Sequence, residues 1–239
     1  MLSVVLLSFL IGTSTIVAQD KPITIPALWE TYHFYARQVP GFNFMKDGNH
    51  YSVLKQNTIV QYDLTSGEQT AVIYQPEGLV LGSYTFSDNE QKLILETARE
   101  AIYRRSSRAN FYIYDRTKKT LTPVSEDGKQ RNATLSPTDD RVAFVRGNNL
   151  FIKNLNNNEE AQITEDGMNN RIINGATDWV YEEEFSIAKG FEWSPDGSKI
   201  AFLRFDESEV KEFTFTSFFN NLYPDYTSFK YPKAGEQNA

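Results

Sequence analysis

The sequence contains no cysteine. Disulfides, cysteine-ligated zinc, iron–sulfur clusters and thiol catalysis are therefore excluded. Histidine is almost absent as well. His33 and His50 are the only two, in unrelated contexts, which speaks against a metal centre built on imidazole. Positive charge is in deficit: 24 Lys and Arg face 31 Asp and Glu, for a formal charge of −7. Phosphate recognition needs a basic face, so nucleic acid is not expected as a partner. No apolar run reaches the roughly 18–20 residues that span a bilayer as a helix. What remains is a chain of 239 residues, 40% apolar and 14% aromatic. That is enough for a substantial core in one large domain or two small ones. Nothing in the composition calls for a metal or a cofactor.

The amino terminus carries a short apolar run at residues 2–11 (LSVVLLSFLI), then a small polar stretch at 12–15. Ile16-Val17-Ala18 places a small residue just before Gln19-Asp20. This pattern predicts a signal peptide over residues 1–18, cleaved after Ala18, with 19–239 as the mature chain. No Lys or Arg stands between Met1 and the run, and a buried amino-terminal strand is the competing reading. Export would place the mature protein in the periplasm or outside the cell. The lack of cysteine is compatible with export and means only that disulfides do not supply the stability.

Four segments share one pattern: residues 42–54 (FNFMKDGNHYSVL), 84–95 (YTFSDNEQKLIL), 133–145 (ATLSPTDDRVAFV) and 191–203 (FEWSPDGSKIAFL). Each has an apolar anchor, a polar turn and an alternating apolar strand. The anchors Phe44, Phe86, Leu135 and Trp193 step along the chain by 42, 49 and 58 residues. Each of the first three segments precedes a further strand pair, with turns near Ser66-Gly67, Thr117-Lys118 and Asn156-Asn157. Four short antiparallel strands per repeat of about 40–50 residues is the make-up of a β-propeller blade. A β-sandwich would not repeat Ser-Pro-Asp-Gly-type turns before the same strand. The expected fold is therefore all-β: a partial propeller of about four four-stranded blades, the last one cut short. The fourth repeat runs from Phe191 through Phe215 into a Tyr/Phe-rich segment ending at Tyr231. An arc of this kind ends on an unpaired edge, so the chain reads as the amino-terminal piece of something longer.

The last step exceeds the first by 16 residues, and the excess falls at residues 169–185 (NNRIINGATDWVYEEEF). Glu182, Glu183 and Glu184 stand there between aromatic neighbours. A run of three glutamates ordinarily reads as a solvated helix end. Flanking aromatics suggest instead a packed position, and inserted segments on a rigid scaffold often carry function. Adjacent carboxylates suit an ammonium group, which offers three N–H donors and no acceptor. Calcium would draw on more oxygens from a characteristic loop that is absent here. A second cluster, residues 99–108 (REAIYRRSSR), concentrates Arg99, Arg104, Arg105 and Arg108 in an acidic chain. It reads either as a charged hairpin loop or as the source of a guanidinium that fixes a ligand carbonyl or carboxylate.

The string Asp178-Trp179-Val180-Tyr181-Glu182-Glu183-Glu184-Phe185 resembles the glutamate motif of the dipeptidyl peptidase IV family, serine exopeptidases of the prolyl oligopeptidase type. Residues 231–238 (YPKAGEQN) are similar to a YPKAG segment of that family, and residues 41–45, 112–115 and 193–197 fit its blades. The resemblance covers nearly all of the mature chain and is strongest to bacterial, exported members. It implies an eight-bladed propeller followed by an α/β-hydrolase domain that releases dipeptides with Pro or Ala in second position. It implies that Glu183 and Glu184 hold the substrate's α-ammonium and that Arg104 binds the first peptide carbonyl, with Arg105 as the neighbour one step away. Glu182 is implied to be structural, and the full-length enzyme to be a homodimer. Glutamates that neutralise a chain end act as a ruler, placing cleavage two residues in.

The family's Gly-x-Ser-x-Gly elbow, with its triad in the order Ser, Asp, His, has no match here. His33 and His50 lie before or within the first blade. No catalytic residue is therefore assigned in this chain. Its own α/β-hydrolase domain is the expected partner, beside a peptide with a free amino terminus, and the 239 residues alone are not expected to hydrolyse peptides. The alternative is a non-catalytic exported propeller that binds a peptide terminus or a protein partner. The DWVYEEEF string and Arg104 favour the peptidase reading. A tripeptidyl relative would need a longer cavity between glutamates and nucleophile.

Overall fold

The computed structural model describes residues 22–36, 41–219 and 222–239. The chain divides into a unit of residues 1–40 and a unit of residues 41–239. The expected signal peptide, residues 1–18, lies outside the described residues. In the first unit a short helix, α1 (Ile25–Trp29), starts where Thr24 accepts the Ala27 N–H at 3.2 Å, with Pro26 in its first turn.

The second unit is built of antiparallel sheets. The first holds β1 (Phe42–Phe44), β2 (His50–Lys55), β3 (Thr58–Asp63) and β4 (Gln69–Tyr74). The second holds β5 (Leu81–Phe86), β6 (Lys92–Ala101), β7 (Ser107–Asp115) and β8 (Thr120–Pro123). The third holds β9 (Arg131–Leu135), β10 (Arg141–Arg146), β11 (Asn149–Asn154) and β12 (Glu160–Gln162). Each is a meander in which strands adjacent in sequence are paired. One local device closes the last hairpin of all three. Asp63 accepts the Ser66 N–H at 2.7 Å, Asp115 the Lys118 N–H at 2.9 Å, and Asn154 the Asn156 N–H at 2.8 Å. Short Asx side chains that bond the backbone two or three residues on make these turns, at the expected places.

The cores lie between successive sheets, face to face. Met45, Ile59 and Ile73 of the first sheet region meet Leu81, Leu93, Leu95 and Tyr114 of the second. Ile94, Phe111 and Ile113 of the second meet Val142, Phe144 and Phe151 of the third. Ala143, Val145 and Leu150 of the third meet Ile173, Ala176, Phe191 and Phe205. Alternation explains the partition. Leu93 and Leu95 point to one side of β6 and Ile94 to the other; Val142 and Phe144 oppose Ala143 and Val145 on β10. Central strands are thus buried on both faces, as stacked blades require. This is an all-β partial propeller. On the first sheet, Phe42 and Phe44 are exposed. The anchor position of Phe44 is therefore not a buried one, because no sheet covers that face among the described residues.

The fourth repeat departs from the others. A single strand line made of β15 (Ile200–Phe202) and β16 (Arg204–Asp206) has two partners end to end. β14 (Phe191–Trp193) pairs with its first half, Trp193 opposite Ile200. β13 (Ile172–Asn174) pairs with its second half, Asn174 opposite Arg204. Residues 175–190 leave the sheet between these two partners. The expected insertion at 169–185 is thus shifted: Ile172 and Ile173 belong to the sheet, and the excursion runs to Gly190. β17 (Glu212–Ser217) and β18 (Asp225–Lys230) do not extend the fourth sheet but form their own hairpin.

Candidate functional site

The excursion is an arm with a narrow neck. Ala176 bridges Lys189, and the Gly190 N–H donates to Gly175 O at 3.1 Å. A Cβ on Gly190 would stand 2.9 Å from the Ala176 carbonyl oxygen, so the neck admits no side chain there. At the tip lies α2 (Trp179–Phe185). Asp178 caps it by accepting the Tyr181 N–H at 3.0 Å, and Ser186 ends it in the left-handed region at φ 59°. Aromatic rings hold it down: Trp179 lies 4.5 Å from Tyr231, and Tyr181 4.8 Å from Phe205, between ring centroids. Phe185, by contrast, is exposed.

Successive residues on a helix point about 100° apart, and the three glutamates meet three different surroundings. Glu182 is fully buried. Its Oε1 accepts the backbone N–H groups of Arg105 at 2.7 Å and Ser106 at 2.8 Å, in the loop that joins β6 to β7. Glu183 is largely covered, at 14% side-chain exposure, and its Oε2 lies 3.4 Å from Nε of Arg104. Glu184 is exposed. The structure therefore brings Arg104 to Glu183 by its side chain, while the neighbouring Arg105 engages the arm through its backbone. Glu184 sits one residue along the helix from that pair, facing solvent.

Beside α2 opens a cavity of about 460 Å³ lined by, among others, Tyr103, Arg131, Asp178, Trp179 and Glu207. Glu183, Glu184 and Arg104 do not line it. Its polar groups are strained by desolvation. Burial raises the Asp178 carboxyl above its ordinary range, and burial with the nearby Asp178 charge raises Glu207. Burial and then the Glu207 charge raise the Tyr103 phenol. Burial also lowers the Arg131 guanidinium, against the pull of Glu182. Sequence reasoning singled out none of Tyr103, Arg131 and Glu207: Tyr103 stands in the 99–108 cluster read for its arginines, and the other two stand in no motif.

Residues 87–239 match the family model described as the dipeptidyl peptidase IV (DPP IV) N-terminal region. A probable dipeptidyl-aminopeptidase B of Aspergillus niger is 39% identical over 167 residues, covering 64% of this chain and 18% of that protein. Dipeptidyl peptidase 4 of Sus scrofa is 32% identical over 198 residues, covering 79% of this chain and 26% of its own. The crystal structure of Porphyromonas gingivalis dipeptidyl peptidase 4 superposes with a TM-score of 0.83 at 39% identity, over 92% of this chain and 32% of that one. The chain thus spans about a fifth to a third of the length of the relatives it matches. A sequence match over most of the chain, joined to the same sheet arrangement, settles its kinship: the chain belongs to the family of dipeptidyl peptidase IV N-terminal regions.

Proposed function

We propose that this chain is the substrate-binding propeller portion of an exported serine exopeptidase that releases X-Pro or X-Ala dipeptides from peptide amino termini. Glu183 and Glu184 receive the substrate's α-ammonium, and Arg104 binds a backbone carbonyl. The observation that carries the reading is the approach of Arg104, from the second sheet, to Glu183 on the arm, at 3.4 Å. Two carboxylates and one guanidinium leave one net negative charge, the complement of one ammonium. The ammonium has three donors for the carboxylate oxygens, and the planar guanidinium keeps N–H groups beyond the one turned to Glu183. An internal peptide segment carries no such charge, so these groups select chain ends and set the register of cleavage. The nucleophile belongs to an α/β-hydrolase domain carried elsewhere in the gene product. A homodimer is part of the same reading. The aromatic side chains exposed on one face of the β17–β18 hairpin, Phe213 and Phe215, form a surface that a second copy would cover.

The test is made on the complete gene product that carries these residues. The expected result is a reading frame that runs past Ala239 into a Gly-x-Ser-x-Gly elbow, and hydrolysis of Ala-Pro-4-nitroanilide but not of its amino-acetylated form. A stop codon after Ala239 with free-amine dipeptides still bound would favour the non-catalytic propeller. Equal treatment of free and acetylated amines would overturn the ammonium reading.

A further inference from the structure

Beneath the glutamate helix lies a buried charge cluster that peptide binding does not use. Arg131 opens β9, and its Nε and Nη2 are buried without a direct hydrogen-bond partner. Oε2 of Glu182 and Oγ of Ser106 are in the same condition. Glu182 acts on Arg131 through space, and Tyr103 feels the charge of both. Three other cations line the adjoining cavity, and each is already committed. Arg108 and Lys129 pair with Glu100 at 2.8 and 2.7 Å, and Arg146 with Glu160 at 2.7 Å. Among the cations lining that cavity, Arg131 alone makes no close ion pair. It is the uncommitted guanidinium whose charge acts through space with the fully buried Glu182 carboxylate.

A carboxylate buried without a countercharge is costly. Here the cost would fall on a clamp. Glu182 holds the N–H groups of Arg105 and Ser106, and so fixes the backbone from which Arg104 reaches Glu183. We propose that Arg131 is a positioning residue of the amino-terminus site: it supplies the countercharge that keeps Glu182 in its buried slot, and Glu182 in turn holds Arg104 in register with Glu183. The inference rests on the reading of Glu183 and Arg104 as binding groups. It adds a third sheet to the site, since Arg131 comes from β9, the loop from the second sheet and the arm from the fourth.

The experiment is steady-state kinetics of the complete gene product on a free-amine dipeptidyl 4-nitroanilide. Arg131→Met should raise KM about ten- to a hundred-fold with kcat nearly unchanged, the signature of misplaced binding groups. Arg131→Lys should restore most of the loss. Glu182→Gln alone should raise KM by a similar factor, and Arg131→Met added to it should cost little more, because the charge it served is gone. A purely packing role for Arg131 would give additive losses and no rescue by lysine, and either result overturns the proposal. So does a KM for Glu182→Gln within about two-fold of the parent, a measurement that stands even where Arg131→Met does not fold. Glu183→Gln separates the two claims. If it leaves KM unchanged, the ammonium reading itself fails; if it raises KM and Arg131→Met does not, only the positioning role falls.

Discussion

Glu183→Gln removes one charge and keeps the shape of the side chain, so it isolates the electrostatic part of ammonium binding. Only 14% of the Glu183 side chain is exposed, and solvent screens it little. A hydrogen bond to a charged group contributes about 1.5–3 kcal/mol, and each 1.4 kcal/mol is about ten-fold in affinity. The expected loss in kcat/KM on a free-amine dipeptidyl substrate is therefore about 10- to 100-fold. The partner Arg104 has 74% of its side chain exposed, so losing that ion pair subtracts little by itself. Glu184→Gln should cost less than Glu183→Gln, because Glu184 faces solvent, and its share should shrink as salt is raised. The assay is 4-nitroaniline release at several salt concentrations, with the amino-acetylated substrate as control. The reasoning is refuted if Glu183→Gln keeps the parent kcat/KM, or if it loses as much on the acetylated substrate as on the free one.

Arg104→Ala should lower kcat/KM without moving the cleavage site, as read by mass spectrometry of released dipeptides. Arg105→Ala should do much less, since Arg105 engages Glu182 through a backbone N–H that alanine retains. In the Ser194–Lys199 turn, hydrogen bonds from the Ser194 hydroxyl and from Ser198 hold the Asp196 carboxyl down to about 2. A depressed acid stabilises the fold above its ordinary value near 4 and loses that contribution as pH falls. Asp196→Asn should therefore lower Tm at pH 7, with the gap to the parent closing as pH approaches 2. Glu207 has the opposite sign: burial and the Asp178 charge raise it, so its ionisation opposes folding. Tm of Glu207→Gln minus Tm of the parent should grow as pH rises from about 4 toward neutrality. Phe144→Ala, in the core between the second and third sheets, should cost about 3–5 kcal/mol and also raise KM. Ile59→Ala, between the first and second, should destabilise by about 2–5 kcal/mol and leave KM alone.

Much of the architecture was legible because it is written in short-range chemistry. The period-two alternation of strands such as β6 and β10, and the Asx turns after β3, β7 and β11, are local signals and land where they were expected. The boundaries of the arm were not legible. β13 is only three residues long and its partner β16 is far along the chain, so no local pattern separates Ile172 from the excursion that follows. Phe44 has the sequence of a buried anchor, yet its burial depends on a neighbouring sheet rather than on its own strand. Spacing alone does not separate two adjacent arginines in a loop, and the expectation of Arg104 over Arg105 rests on the family resemblance. In the structure Glu182 takes the backbone N–H of Arg105, while the side chain of Arg104 approaches Glu183. Arg131 carried no signal at all: a single arginine at the start of a strand shows the burial of its Nε and Nη2 only once three sheets are assembled.

That dependence on assembly says what kind of site this is. Arg104 rides on the second sheet, Arg131 on the third, and the glutamates on an arm that interrupts the fourth. No single sheet contains the proposed binding pair, so the 3.4 Å between Arg104 and Glu183 is set by how the sheets pack on one another. The packing is close and resists small displacement, as the proposed ruler requires if it is to hold two charges at a fixed separation. It also accounts for the different surroundings of three identical side chains in a row. A helix turns about 100° per residue, so the arm can spend Glu182 on fastening itself to the second sheet only by presenting Glu183 to Arg104 and Glu184 to solvent. On the proposed reading the fastening and the binding are one constraint: any change that frees Glu182 from the backbone of Arg105 and Ser106 also moves the Glu183 charge proposed to meet the peptide.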